Sequence, residues 1–165
     1  MEILKYGLLV SFAIALLYAA FTDIRERRIA NWFIIGIAAG APVFWFASGM
    51  AVWPDMAIQL ALAFVVFWAF AGLFALGMFG GGDVKLLGAV ALWLTPMSFL
   101  SLLLVMAYVG GAIAVWFVMR RVIFKPKTPG TLPYGVAITA GALWVLGWTH
   151  IPSAASMISA GSVVG

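Results

Sequence analysis

The sequence predicts an all-α, polytopic membrane protein of about six transmembrane helices, folded as a single membrane-embedded domain over residues 1–165. Three observations predict this. Of the 165 residues, 66% are hydrophobic and 8% charged, whereas a soluble domain averages about half apolar and about a quarter charged. Mean hydropathy is +1.18. Apolar runs of membrane-crossing length alternate with short breaks rich in glycine, proline or charge. The chain has no cysteine, which excludes disulfides, thiolate metal sites and cysteine nucleophiles. Its net charge of +4 does not point to nucleic acid. The basic residues stand in short segments beside apolar runs, the pattern of membrane topology and contact with anionic lipids.

The first apolar run predicts a helix over Lys5–Thr22, about 27 Å at ~1.5 Å per residue, which is enough for a hydrocarbon core. It ends in Asp23-Ile24-Arg25-Glu26-Arg27-Arg28. A signal peptide carries its positive charge before the apolar run, and here the arginines follow it, so the run reads as an uncleaved span. The second helix is expected over Ile29–Ala47 and kinked near its far end by Pro42. Ser48–Asp55 is a short loop containing Gly49 and Pro54. The third helix, Met56–Phe79, is long enough to cross with tilt.

Three consecutive glycines and Asp83 come next, and the glycines are expected to lie outside regular helix. The apolar piece Val84–Leu94 is only about 17 Å of helix, too short to cross alone. Either the residues around the glycines extend it, or it is a partial span buried among its neighbours. Thr95-Pro96 makes a turn, and a fifth helix is expected over Met97–Met119. A basic, proline-rich loop follows from Arg120 to Pro133, then a sixth helix over Tyr134–Trp148 and a small, polar tail after His150.

With six spans, the breaks after spans one, three and five share one membrane face. They hold Arg25, Arg27, Arg28, Lys85, Arg120, Arg121, Lys125 and Lys127, eight of the nine basic residues. The positive-inside rule therefore puts these breaks in the cytoplasm and both termini outside. Asp23 and Asp83, sixty residues apart, are thus expected at the same cytoplasmic face. Two carboxylates close together at a membrane edge cannot both ionise cheaply, so such a pair offers a base and an acid at once. An aspartyl protease uses one member to take a proton from water and the other to polarise the scissile carbonyl. Gly80 and Gly82 would let a substrate backbone come close. Intramembrane acids also serve as proton or ion relays, and the residues alone leave both readings open.

Ala20-Phe21-Thr22-Asp23-Ile24-Arg25, followed by Arg28-Ile29-Ala30-Asn31-Trp32, resembles the first conserved box of the prepilin peptidases, the type IV leader peptidases. Gly80-Gly81-Gly82-Asp83-Val84-Lys85-Leu86 resembles their second, the GxGD motif with its trailing lysine and leucine. Leu132-Pro133-Tyr134-Gly135-Val136-Ala137-Ile138 resembles the start of their last span. The resemblance implies a GxGD-type aspartyl endopeptidase of the bacterial inner membrane, with Asp23 and Asp83 in the two catalytic positions. Its partner would be a prepilin-like precursor, whose short basic leader it removes at the cytoplasmic face. The first box usually reads Ile-Pro-Asn, and Ala30 in place of the proline is expected to loosen the start of the second helix. Larger members carry a cysteine-bearing cytoplasmic insertion and N-methylate the new pilin terminus. This cysteine-free chain resembles the small, peptidase-only form associated with tight-adherence (Tad) or Flp-type pili.

Two further residues are candidates for support. Lys85 would act on the acids or a substrate carbonyl if its segment is extended, and would snorkel to the interface if it is helical. Asn31 would hydrogen-bond the loop near Asp23 or start the second helix. The arginines after Asp23 read as lipid anchors, and His150 as an interfacial residue. No metal-ligand cluster is evident, the glycine run lacks the Gly-Lys-Ser/Thr ending of a phosphate loop, and no cofactor is implied. The second reading, from another class, is a small transport or channel subunit with the two acids as relay. That class should show interrupted helices at matching places in two halves, and only one glycine interruption is present.

Overall fold

The computed structural model describes residues 2–26, 29–124 and 134–150. These residues form six α-helices in the order α1 (Glu2–Glu26), α2 (Asn31–Ala47), α3 (Ala57–Ala75), α4 (Gly81–Ala91), α5 (Pro96–Phe124) and α6 (Tyr134–His150), with no strand among them. An irregular turn, Val52–Met56, precedes α3. Glu2–Glu26, Val52–Ala75 and Pro96–Arg120 are long and apolar enough to cross a membrane, while α2 and α6 are shorter apolar helices. The chain is an all-α membrane protein. Large apolar side chains such as Phe64, Trp68, Leu104 and Tyr108 point outward, as they must where lipid is the solvent.

The buried residues of α1 are Leu9, Phe12, Leu16, Ala19 and Asp23. Their spacing of three and four marks the one face of α1 that packs inward, and Asp23 is its last step. α1 runs beyond Thr22, where the apolar run ends, and so carries this carboxylate inward on a regular helix. α2 and α3 both end on glycines in the left-handed region, Gly49 at φ +70° and Gly77 at φ +75°. The amides of Met50 and Met78 reach back to Trp45 O and Leu73 O, closing the turn that such a glycine allows.

α4 is a short helix in the middle of the protein, and eight of its eleven residues are buried. It packs against α2, α3 and α6. The last carbonyls of a short helix buried among apolar neighbours cannot turn to water. Side chains from two other helices satisfy them. Trp45 Nε1 donates to Leu92 O at 2.8 Å, and Gln59 Nε2 donates to Ala91 O at 3.1 Å and also to Leu94 O. Trp93, stacked on Phe12 with ring centroids 4.4 Å apart, gives its own N–H to Ile37 O at 2.9 Å. Gln59→Leu keeps the volume and strands two of these carbonyls. It should therefore cost about 2–4 kcal/mol of stability, read as a lowered detergent melting temperature.

α5 and α6 form an antiparallel hairpin. A Cβ on Gly141 would stand 2.8 Å from Leu102 O, whereas one on Gly110 would meet Ala137 at 3.8 Å. The small residue at 141 is what allows the two backbones to approach. Thr139, buried on α6, donates to Leu16 O of α1 at 3.0 Å. This bond docks the hairpin on the first helix.

Three expectations need correction. Gly81 and Gly82 form the first turn of α4 and are not outside helix, because Asp83 holds that turn closed, as described below. α5 continues through Arg120 to Phe124, so the basic connection starts later than the charges suggest. Ala30 is the residue before α2, at φ −64°, a value a proline ring would itself impose, so the backbone path is unchanged by the alanine. Arg27, Arg28, the segment 125–133 with Lys125, Lys127, Leu132 and Pro133, and the tail after His150 lie outside the described residues.

Candidate active site

Asp83 is the third residue of α4, and Gly80 is the residue before the helix, in extended conformation. The Gly80 backbone amide hydrogen-bonds the Asp83 carboxyl. A short acidic side chain at this position reaches back to the amide at the helix start and satisfies one of its orphan donors. The approach is tight, since a Cβ on Gly80 would stand 2.7 Å from Asp83 Oδ2. Glycine is needed at 80 for that clearance, not for an unusual backbone angle. Gly82 is looser: a Cβ there would meet Ile29 at 3.7 Å, ordinary contact.

Asp23 comes from the last turn of α1, and α6 supplies its clearest partner. The Gly135 backbone N–H donates to Asp23 Oδ2 at 2.9 Å in a buried setting. A Cβ on Gly135 would stand 2.7, 2.9 and 3.0 Å from Asp23 Oδ2, Cγ and Cβ. Gly135 is therefore both the donor and the clearance for this carboxylate, at a helix N-terminus whose dipole favours negative charge. Tyr134 stacks on Phe79, with centroids 4.7 Å apart, and this joins the start of α6 to the glycine segment before α4.

The two acids converge. Asp23 and Asp83 are each 8% exposed, lie within electrostatic reach of each other and line one cavity of about 700 Å³. Its walls are the end of α1, the start of α2 and the glycine run at 80–82, with Trp32 and Phe33 as apolar surface. Glu26 also lines it, a third carboxylate that the sequence reading passed over as one more charge in a mixed run. Gly135 was quoted only as part of a motif, and nothing local in the sequence shows which side chain its amide meets. Among the described residues, no group of three His, Cys, Asp or Glu side chains is placed to hold one metal ion.

Asn31 lines the cavity, but its side chain neither caps α2 nor meets the loop at Asp23. It is the first residue of the helix, and its Oδ1 accepts from Lys85 Nζ at 2.9 Å. Lys85 is not a cavity residue. The segment is helical, so two positions past Asp83 the side chain emerges on another side of α4, exposed between α2 and α3.

No curated protein and no solved structure matches the chain. The sequence profile described as the type IV leader peptidase family does match, over residues 10–116. That range holds most of α1, all of α2 to α4 and most of α5, with both acids and the glycine run. With two buried aspartates converging from boxes sixty residues apart, and that profile covering most of its length, the chain belongs to the type IV leader peptidase family.

Proposed function

We propose that the protein is an aspartyl endopeptidase that removes the N-terminal leader from prepilin-like precursors of the Flp/Tad type, with Asp23 and Asp83 as its catalytic pair. The observation that carries this reading is the meeting of Asp23 and Asp83 in one cavity. One carboxylate, ionised, takes a proton from a water molecule as the oxygen attacks the scissile carbonyl. The other, protonated, donates to the carbonyl oxygen as it becomes an oxyanion. Collapse of the tetrahedral intermediate breaks the C–N bond, and the departing amine takes up a proton from the pair. Gly80 and Gly82 keep the wall beside Asp83 bare of side chains, so an extended substrate backbone can lie there. The carboxylate of Glu26 at the same cavity suits a basic leader. Membership of a peptidase family favours hydrolysis over the relay reading.

The test is co-expression with a pilin-like precursor, followed by mass measurement of the precursor's N-terminus. Loss of the leader without an added methyl group is expected, since the chain lacks the cysteines of the methylating members. A full-length precursor would overturn the reading, and an N-methylated product would overturn the peptidase-only assignment.

In this proposal the protein crosses the inner membrane several times, with the acidic pair on the cytoplasmic side and both termini outside. Support comes from the basic asymmetry. A periplasm-active reporter fused after Gly165 should be active, and a fusion active only in the cytoplasm would refute this orientation.

A further inference from the structure

On the other side of Asn31 from the acidic cavity is a second hollow of about 510 Å³, formed by α2, α3 and α4. α4 is its floor. The main packing partners of α2 are α1 and α4, and α3 packs on α4, so the space between α2 and α3 opens sideways into the bilayer. Its walls are apolar, with Ile34 and Ile35 on one side and Ala63 and Phe67 on the other. Gly88 keeps the floor low, since a Cβ there would already stand 3.4 Å from Phe67. One end is polar, where Lys85 and Asn31 meet.

The Lys85 ammonium has three donors. Among the described residues it uses one, on Asn31 Oδ1 at 2.9 Å, and has no carboxylate partner. Asn31 thus aims a cation at the head of the groove without neutralising it. We propose that this groove binds one anionic phospholipid, with the phosphate on Lys85 and an acyl chain lying over Gly88 toward Leu92. Cationic pockets between membrane helices are suited to such headgroups.

Charge favours a lipid: a head-and-tail ligand matches a groove with one cationic end at Lys85 and apolar walls toward Leu92. Because Asn31 lines both hollows, an occupied groove would also brace the start of α2 beside the acids.

The test uses the full chain carrying Asp23→Asn and Asp83→Asn, so that no reading of activity enters. The protein is stripped of lipid in detergent and titrated with phosphatidylglycerol or phosphatidylcholine, with retained lipid counted by native mass spectrometry and melting followed alongside. One phosphatidylglycerol should be retained and should raise the melting temperature, with phosphatidylcholine much weaker. Lys85→Gln should weaken phosphatidylglycerol about fivefold. Ala38→Leu, which fills the groove from α2, should abolish retention while melting in phosphatidylcholine stays near that of the parent. Equal binding of the two lipids, or phosphatidylglycerol binding unchanged in Lys85→Gln, overturns the proposal. If Lys85→Gln leaves the lipid bound yet weakens capture of a pilin-precursor peptide, the groove belongs to the substrate's helix and the lipid site is refuted.

Discussion

Asp23→Asn and Asp83→Asn should each give a folded, membrane-inserted protein that no longer removes leaders. Both carboxylates accept backbone hydrogen bonds, from Gly135 and from Gly80. An asparagine oxygen can accept the same bonds, so the helix starts they support should persist. The change also removes a charge from a poorly hydrated site, and melting should stay level or rise slightly. Catalysis has no such tolerance. Asn can neither take a proton from water nor give one to a carbonyl oxygen, so either substitution should lower cleavage about 10³-fold or more. Because the acids act as a unit, the double variant should lose little beyond either single one. Leader removal and melting are measured on the same preparations. Substantial cleavage by either single variant would sink the pair, and loss of the protein from the membrane would mark the acids as structural.

Gly135→Ala should be nearly as damaging, for a different reason. The added carbon would lie within 3.0 Å of Asp23 Oδ2, Cγ and Cβ alike. Rotating the carboxylate clears the oxygen but not Cβ, so α1 and α6 must move apart, at a cost of about 1–3 kcal/mol. A displacement of even ~1 Å at a reacting group lowers rates about 10²-fold. Gly80→Ala makes the instructive contrast. Its close contact is with Asp83 Oδ2 at 2.7 Å, and the next atom is at 3.6 Å. The side chain can swing aside, so activity should fall with little loss of melting temperature. The decisive measurement is a double-variant cycle. In an Asp23→Gly background, which removes Oδ2, Cγ and Cβ alike, Gly135→Ala should lose most of its destabilising effect. If it destabilises equally in both backgrounds, the clash with Asp23 is not the cause.

Much of this molecule is legible along the chain because the governing quantities are local. Run length and hydropathy mark the helices, and the placing of Asp23 directly after the first apolar run puts that acid at a helix end. The Val84 segment reads as a short apolar piece, and the structure gives an eleven-residue helix there that begins at Gly81. The motifs around Asp23 and Asp83 likewise lead to the family. Where local composition misled, a specific contact had intervened. Gly81 and Gly82 read as helix breakers, yet the Asp83 carboxyl closes their turn on the Gly80 amide. The sequence leaves Lys85 open between serving Asp83 and pointing away from it, and the helical turn directs it to Asn31, 54 residues away. Gln59 and Trp45 have no signature at all, and Gly135 has only its place in a motif. Each matters because it satisfies or clears a polar group on a helix remote in sequence, and in a bilayer such groups must find their partners inside the protein. Which partners they find depends on which helices pack together, and only the tertiary structure decides that.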